Sequence, residues 1–205
     1  MEQHNESKEN TPTNDFLKDL RAATAPMHQG LEDNRISQSL MKPGVSLTEY
    51  AFYLRCMGEV IKTYDDLVLS AVSVVMPDFE RRKKAKDIEA DLEYLYANGA
   101  EILDAKEFKG FNGKPCLAYA LGYAYVIEGS TLGGRVILKQ VAPTLQLQDQ
   151  GIKFFSGYGA ETGLFWKTFL DGFTANVIGS NTQNEAIKGA IDAFSDIGRH
   201  FASHN

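Results

Sequence analysis

Apolar side chains recur every three or four positions through most of this chain, and no stretch shows the two-residue alternation of a half-buried strand. The first stripe runs through Phe16, Leu17, Leu20, Thr24, Met27, His28 and Leu31. Pro26 lies inside it, so a kink or a restart is expected there. A second helix begins at Ser46, which has capping-box spacing to Glu49. It continues through Tyr50, Tyr53, Leu54, Met57, Ile61, Tyr64, Leu67 and Val68 until Pro77. The stretch DFERRKKAKDIEADLEYLYANG predicts a third helix that stops at Asn98-Gly99. Its basic and then acidic run reads as a solvated face. Pro115 opens a long apolar segment, a further helix is expected from about Glu161 to Val177, and a last one from Thr182 to about Ala202. Thr182 and Glu185 again have capping-box spacing. The pattern predicts an all-α, single-domain helical bundle over residues 14–205, preceded by a disordered polar tail over residues 1–13.

Composition narrows the function classes. The chain has 205 residues, 43% hydrophobic, which is enough for one domain with a sizeable core. The formal net charge of −6 argues against a nucleic-acid surface. No apolar run approaches a membrane span, and the polar start has no signal-peptide core. Cys56 and Cys116 form neither a metal spacing nor a disulfide framework; they read as packing residues and suit a reducing cytoplasm.

Two features carry candidate chemistry. The first is YVIEGSTLGGRVILKQ, where Gly129, Gly133 and Gly134 fall inside a helical pattern although each costs about 0.5–1 kcal/mol relative to alanine. Gly129 and Gly133 share a face with Gly122 and Tyr125. A face without side chains serves either close helix packing or the approach of a flat ligand to the backbone. The segment lacks a phosphate-loop lysine and no strand precedes it. The second feature is His28, either a buried histidine satisfied by a hydrogen bond or a metal ligand. Glu32, one turn later, is placed to accept a ring proton from it or to pair with Arg35. His200 and His204 share a face near the C-terminus, with no third ligand in view, and are expected in solvent. None of the four histidines has a glutamate three positions before it, which removes a di-iron bundle.

Taken together, LRAATAPMHQGLE and EGSTLGGRVI resemble the proximal and distal helices of the heme oxygenases, the latter in its bacterial form. FFSGYGAETGLFWKTFLDGF and AIDAFSDIGRHF are similar to later segments of that family, so the resemblance spans about residues 14–202. It implies a helical fold that holds heme between a proximal helix and a kinked distal one. It implies oxidative cleavage of heme to biliverdin, carbon monoxide and ferrous iron with O2 and electrons, heme being cofactor and substrate at once. His28 matches the axial ligand, with Glu32 behind it; Arg21 matches a basic residue near a propionate. Gly129, Gly133 and Gly134 match the glycines over the distal face, with Tyr125 and Lys167 completing the expected heme contacts. The glycines let the helix approach bound oxygen without a side chain in the way, and Gly129, Ser130 and Gly133 are the expected catalytic positions.

The sequence departs from the family at Ser130, where many members carry an aspartate that holds water around the oxygen. A serine hydroxyl donates and accepts hydrogen bonds but holds no charge at neutral pH. The Glu-Gly-Ser form is similar to heme oxygenases that supply biliverdin to bacterial phytochromes, which makes a phytochrome a candidate acceptor. Glu128 is expected on a different side of the helix from Ser130. Ferredoxin, a flavoprotein reductase and ascorbate are all candidate electron donors. Two further readings stay open: a heme carrier or sensor without turnover, and a helical enzyme acting on another small heterocycle, such as a thiamine-degrading type.

Overall fold

The computed structural model describes residues 12–111 and 116–204. Its regular structure is helical, and no strand occurs among the described residues. The expected tail lies outside them up to residue 11, as does Pro115, the expected opening of the glycine-rich helix.

Helix α1 spans Pro12–Glu32 and buries Phe16, Leu17, Leu20 and Thr24. Pro26 neither ends nor restarts it. Helix α2 (Arg35–Met41), which the periodicity did not reveal, is capped by Asn34, whose side chain accepts the Ile36 N–H at 2.9 Å. Helix α3 (Leu47–Thr63) begins with the expected capping box: Ser46 Oγ accepts the Glu49 N–H at 3.1 Å and Glu49 Oε2 accepts the Ser46 N–H at 2.8 Å.

After α3 the chain widens into one π-helical turn, Tyr64–Val68, before α4 (Leu69–Val72). The extra residue in such a turn re-aims its side chains. Here both Tyr64 and Asp65 are buried. Asp65 accepts the N–H groups of Lys84 and Ala85 at 2.9 and 2.8 Å, fixing the start of α5 (Ala85–Ala97). The predicted third helix therefore divides: a 3-10 turn, Phe79–Arg82, precedes α5. Gly99, at φ +99°, ends it as expected.

Helix α6 (Leu117–Thr144) is one unbroken helix through all the glycines. Helix α7 (Lys153–Ser156) is short and starts on buried Asp91, whose carboxylate accepts the Lys153 and Phe154 N–H groups at 2.8 and 2.9 Å. Helices α8 (Thr162–Gly179) and α9 (Gln183–Ala202) complete the bundle. The expected box at Thr182 does not form: its hydroxyl turns back to Ser180 Oγ and the Val177 carbonyl instead of the first turn of α9.

The centre of the bundle is the crossing of α6 with α9. A Cβ on Gly122 would lie 1.8 Å from the Ala186 carbonyl oxygen, and one on Gly189 would lie 2.1 Å from that of Tyr119. The two backbones touch there, which only glycine permits. Helix α1 packs mainly on α9 and more lightly on α8, while α6 rests on α9 and α8. Helices α1 and α6 have little contact with one another. They share supports instead: Phe173 of α8 lies 5.4 Å from Phe16 of α1 and 5.8 Å from Tyr125 of α6, centroid to centroid.

Candidate functional site

The glycine face of α6 divides along its length. Gly122 is consumed by helix packing, as above. At Gly129 a Cβ would meet the Trp166 ring at 3.4 Å, ordinary contact. At Gly133 it would meet nothing within 4 Å. Leu132 and Val136, which flank Gly133 on the same side, are 41% and 59% exposed. This half of the face is a bare, apolar strip open to solvent. Gly134 faces the other way: it is buried, and its Cβ would lie 3.1 Å from Phe155. Asp91 anchors α7, and so places Phe155 there.

Ser130 is exposed, and its hydroxyl donates to the Ile127 carbonyl at 2.7 Å, back onto its own helix. Tyr125 is half-buried between Trp166 (5.4 Å) and Phe173 (5.8 Å). Lys167 is exposed and ion-paired with Asp171 at 2.7 Å. Arg21 is exposed on α1, seven residues before His28.

His28 is not a buried, satisfied histidine, since its side chain is 59% exposed. Its ring stands edge-on to Phe194 of α9 at 5.6 Å. Nδ1 lies 3.6 Å from Glu32 Oε1, and no partner for Nε2 occurs among the described residues. Met27 and Leu31 on either side pack partly into the core, which fixes the orientation of this turn. A carboxylate on the Nδ1 side favours the proton there and leaves the Nε2 lone pair outward.

Behind the distal glycines lies a buried charged cluster that the sequence did not reveal. Arg82 and Lys84, expected on a solvated face, are 1% and 5% exposed. Both turn inward to Glu128 of α6: Arg82 Nη1 at 2.6 Å and Lys84 Nζ at 2.9 Å. Tyr64 and Tyr158 donate their hydroxyls to the same carboxylate at 2.7 and 2.9 Å. Asp78 holds the other side of Arg82 at 2.8 Å. Burial alone would raise the Glu128 carboxyl, but Lys84 and Arg82, with hydrogen bonds from Lys84 and Tyr64, outweigh it and hold the group below its ordinary value. A charge at this depth is stable only when compensated so completely. Glu128 does face away from Ser130, as its position predicted.

The remaining chemistry-bearing residues differ from expectation in burial. Cys116 is exposed at the start of α6, so it is no packing residue, whereas Cys56 is. His200, expected in solvent, is buried, with Nε2 3.0 Å from the Cys56 carbonyl oxygen. Burial lowers its pKa. Among the described residues, no helix is long and apolar enough to cross a membrane.

An all-helical bundle with an outward histidine on its first helix and a bare glycine strip on its longest defines the class. The heme oxygenase family profile matches residues 14–202, and the chain belongs to that family. Solved structures agree on the fold. The heme oxygenase of Neisseria meningitidis, solved with NO and CO bound, is 23% identical, with a TM-score of 0.70 over 91% of this chain and 92% of its own. That of Leptospira interrogans is 16% identical, with a TM-score of 0.66 over 92% and 98%. Heme oxygenase-1 of the cyanobacterium Synechocystis, in complex with heme, is 17% identical, with a TM-score of 0.62 over 92% and 91%. No curated protein sequence matches significantly.

Proposed function

We propose that the chain binds heme between α1 and the glycine strip of α6 and cleaves it oxidatively to biliverdin, carbon monoxide and ferrous iron. The observation that carries this reading is the half-exposed His28, whose Nε2 has no partner among the described residues, on a helix that shares supports with the open Gly133 strip. The residues present suit the group. Neutral imidazole is a heme ligand, and Gly133 with Leu132 and Val136 offers a flat apolar surface free of Cβ atoms.

Bound heme supplies the oxygen activation and is itself oxidised. The protein's part is positioning. His28 Nε2 would ligate the iron, and Glu32 would hold the Nδ1 proton and the ring's tautomer. Gly129 and Gly133, without side chains, would leave room beside the heme for a small oxygen molecule. Ser130 is one rotation from presenting its hydroxyl to water on that side. Arg21 and Lys167 are exposed cations for propionates, Lys167 after releasing Asp171. The electrons come from an external donor: a ferredoxin, a flavoprotein reductase or ascorbate. A bacterial phytochrome is a candidate acceptor for the product, and a cytoplasmic location suits the reading.

Hemin titration of the purified chain is expected to give a shifted Soret band with one equivalent, and reductant with air a bilin. His28→Ala should lose the histidine-ligated spectrum; unchanged ligation in that variant would refute the axial assignment. A second reading rests on Ser130, whose hydroxyl is committed to Ile127 where many relatives hold an acid. A carrier or sensor would bind heme by the same contacts and release no bilin under those conditions.

A further inference from the structure

We propose that Cys56, His200 and His204 form a binding site for a thiophilic d10 metal ion, with zinc as its occupant. The three side chains each place a ligand atom within 4.8 Å of the others. They come from two elements: Cys56 from the middle of α3, His200 from the last turns of α9, and His204 just beyond its end. The site lies apart from His28 and the glycine strip and does not depend on heme.

The hydrogen bonds indicate which ring nitrogens carry protons and which keep lone pairs. His200 Nε2 lies 3.0 Å from the Cys56 carbonyl oxygen, so that nitrogen carries the proton and Nδ1 keeps its lone pair. Phe108 stands edge-on against the ring at 5.4 Å and fixes its plane. The His204 ring is 4.9 Å from that of His200 and nearly perpendicular to it. Its Nδ1 lies 2.8 Å from the His200 carbonyl oxygen, while Nε2 accepts the Lys106 N–H at 2.8 Å. His204 Nε2 accepts that N–H and so offers a lone pair, and a metal there would replace the Lys106 hydrogen bond. The Cys56 thiol has no hydrogen-bond partner among the described residues.

Zinc bonds of about 2.0–2.3 Å place tetrahedral ligand atoms roughly 3.3–3.8 Å apart. The cluster must therefore contract by about 1.0–1.5 Å from its outer limit, which a turn of the His204 side chain would have to supply. His204 lies two residues beyond the last helical residue, and turning its ring toward Cys56 exchanges its hydrogen bonds with Lys106 and His200 for the metal. A surface cavity between α2 and α3, with Phe52 and Glu49 on its walls, has His204 as a lining residue. It opens the His204 end of the cluster to solvent, the source of a water as fourth ligand. On binding, the Cys56 sulfur exchanges its proton for the metal and the proton passes to solvent. One thiolate and two neutral imidazoles then leave the zinc centre with a single positive charge.

The test uses the full chain, reduced and stripped of metal with a chelator, titrated with cobalt(II) and then zinc. Saturation at one equivalent, with a thiolate-to-cobalt charge-transfer band that zinc abolishes, is the expected result. Cys56→Ser should remove the band. His204→Ala, at the exposed end where folding is least at risk, should weaken zinc binding by at least the roughly tenfold that losing even an outer partner costs. His28→Ala should bind zinc like the parent chain. A cobalt complex without the charge-transfer band overturns the site. So does zinc affinity unchanged in His204→Ala, or lost in His28→Ala.

Discussion

Helix α6 has two sides built on opposite principles. Its back carries Glu128, sunk in a cluster of Arg82, Lys84, Tyr64 and Tyr158 where every oxygen is partnered. Its front, one residue on, carries no Cβ at Gly129 and Gly133 and leaves Leu132 and Val136 to solvent. The back fixes where the helix sits, drawing α6 onto the 78–84 segment and the turn before α8. The front contributes little to folding and lies open to solvent. A helix weakened by four glycines keeps its place because its charged side is over-determined. Substitutions on the back should therefore act on stability, and those on the front on binding and turnover.

The largest effect is expected at Glu128. Replacing it with leucine leaves Lys84 buried without its counter-charge and Arg82 with Asp78 alone, which costs about 3–5 kcal/mol. Urea denaturation should show the loss even without ligand. Next is Gly122→Ala, whose methyl would enter the Ala186 carbonyl; the overpacking should cost about 3 kcal/mol by the same measurement. The pH dependence of stability tests the back side in another way. Glu128 is held below its ordinary value of 4.5, so the unfolded chain takes up the proton first as pH falls. The cluster's contribution is then complete above about that value. It is lost as pH drops below it and through the lower folded-state value. Glu128→Gln should remove this acid-side slope, and an unchanged slope would place it elsewhere.

The contrast explains what could be read from the sequence. Features written within one turn were legible: the Ser46–Glu49 box, the Gly99 stop, and the start of α8 to within a residue. Short α2 and α7 escaped because too few residues carry their period. Arg82 and Lys84 sit in a run whose pattern is that of a solvated face, and the partner that draws them in is 46 and 44 residues away. The Thr182 box had the right spacing, yet its hydroxyl found nearer acceptors. The glycines were legible as a group but not individually. Spacing placed Gly122 with Gly129 and Gly133, yet α9 reaches only the first of them. His28 was singled out from the α1 stripe and its role came from the resemblance; its outward ring depends on which part of that stripe α9 covers.

On the front, Gly133→Ala should reverse the sign seen at Gly122. Its methyl meets nothing in the free protein, so the better helix former should stabilise by about 0.5–1 kcal/mol. The same methyl would stand on the strip proposed to meet the ligand, so hemin affinity should fall as stability rises. A loss of both in parallel would mean that the strip is structural after all.

Ser130→Ala separates chemistry from fold most finely. The residue is exposed, and its hydroxyl bonds only to the carbonyl three positions back on its own helix. Removing it should leave stability within about 0.5 kcal/mol and hemin binding intact. If the hydroxyl orders water that delivers protons during turnover, bilin formation should slow by about 10²-fold, the lower end of what a positioned proton donor contributes. Ser130→Asp, which places a carboxylate where the hydroxyl stood, should recover or exceed the parent rate. Equal turnover in all three chains would assign proton delivery to water and backbone alone, and the front of the helix would then act only by leaving space.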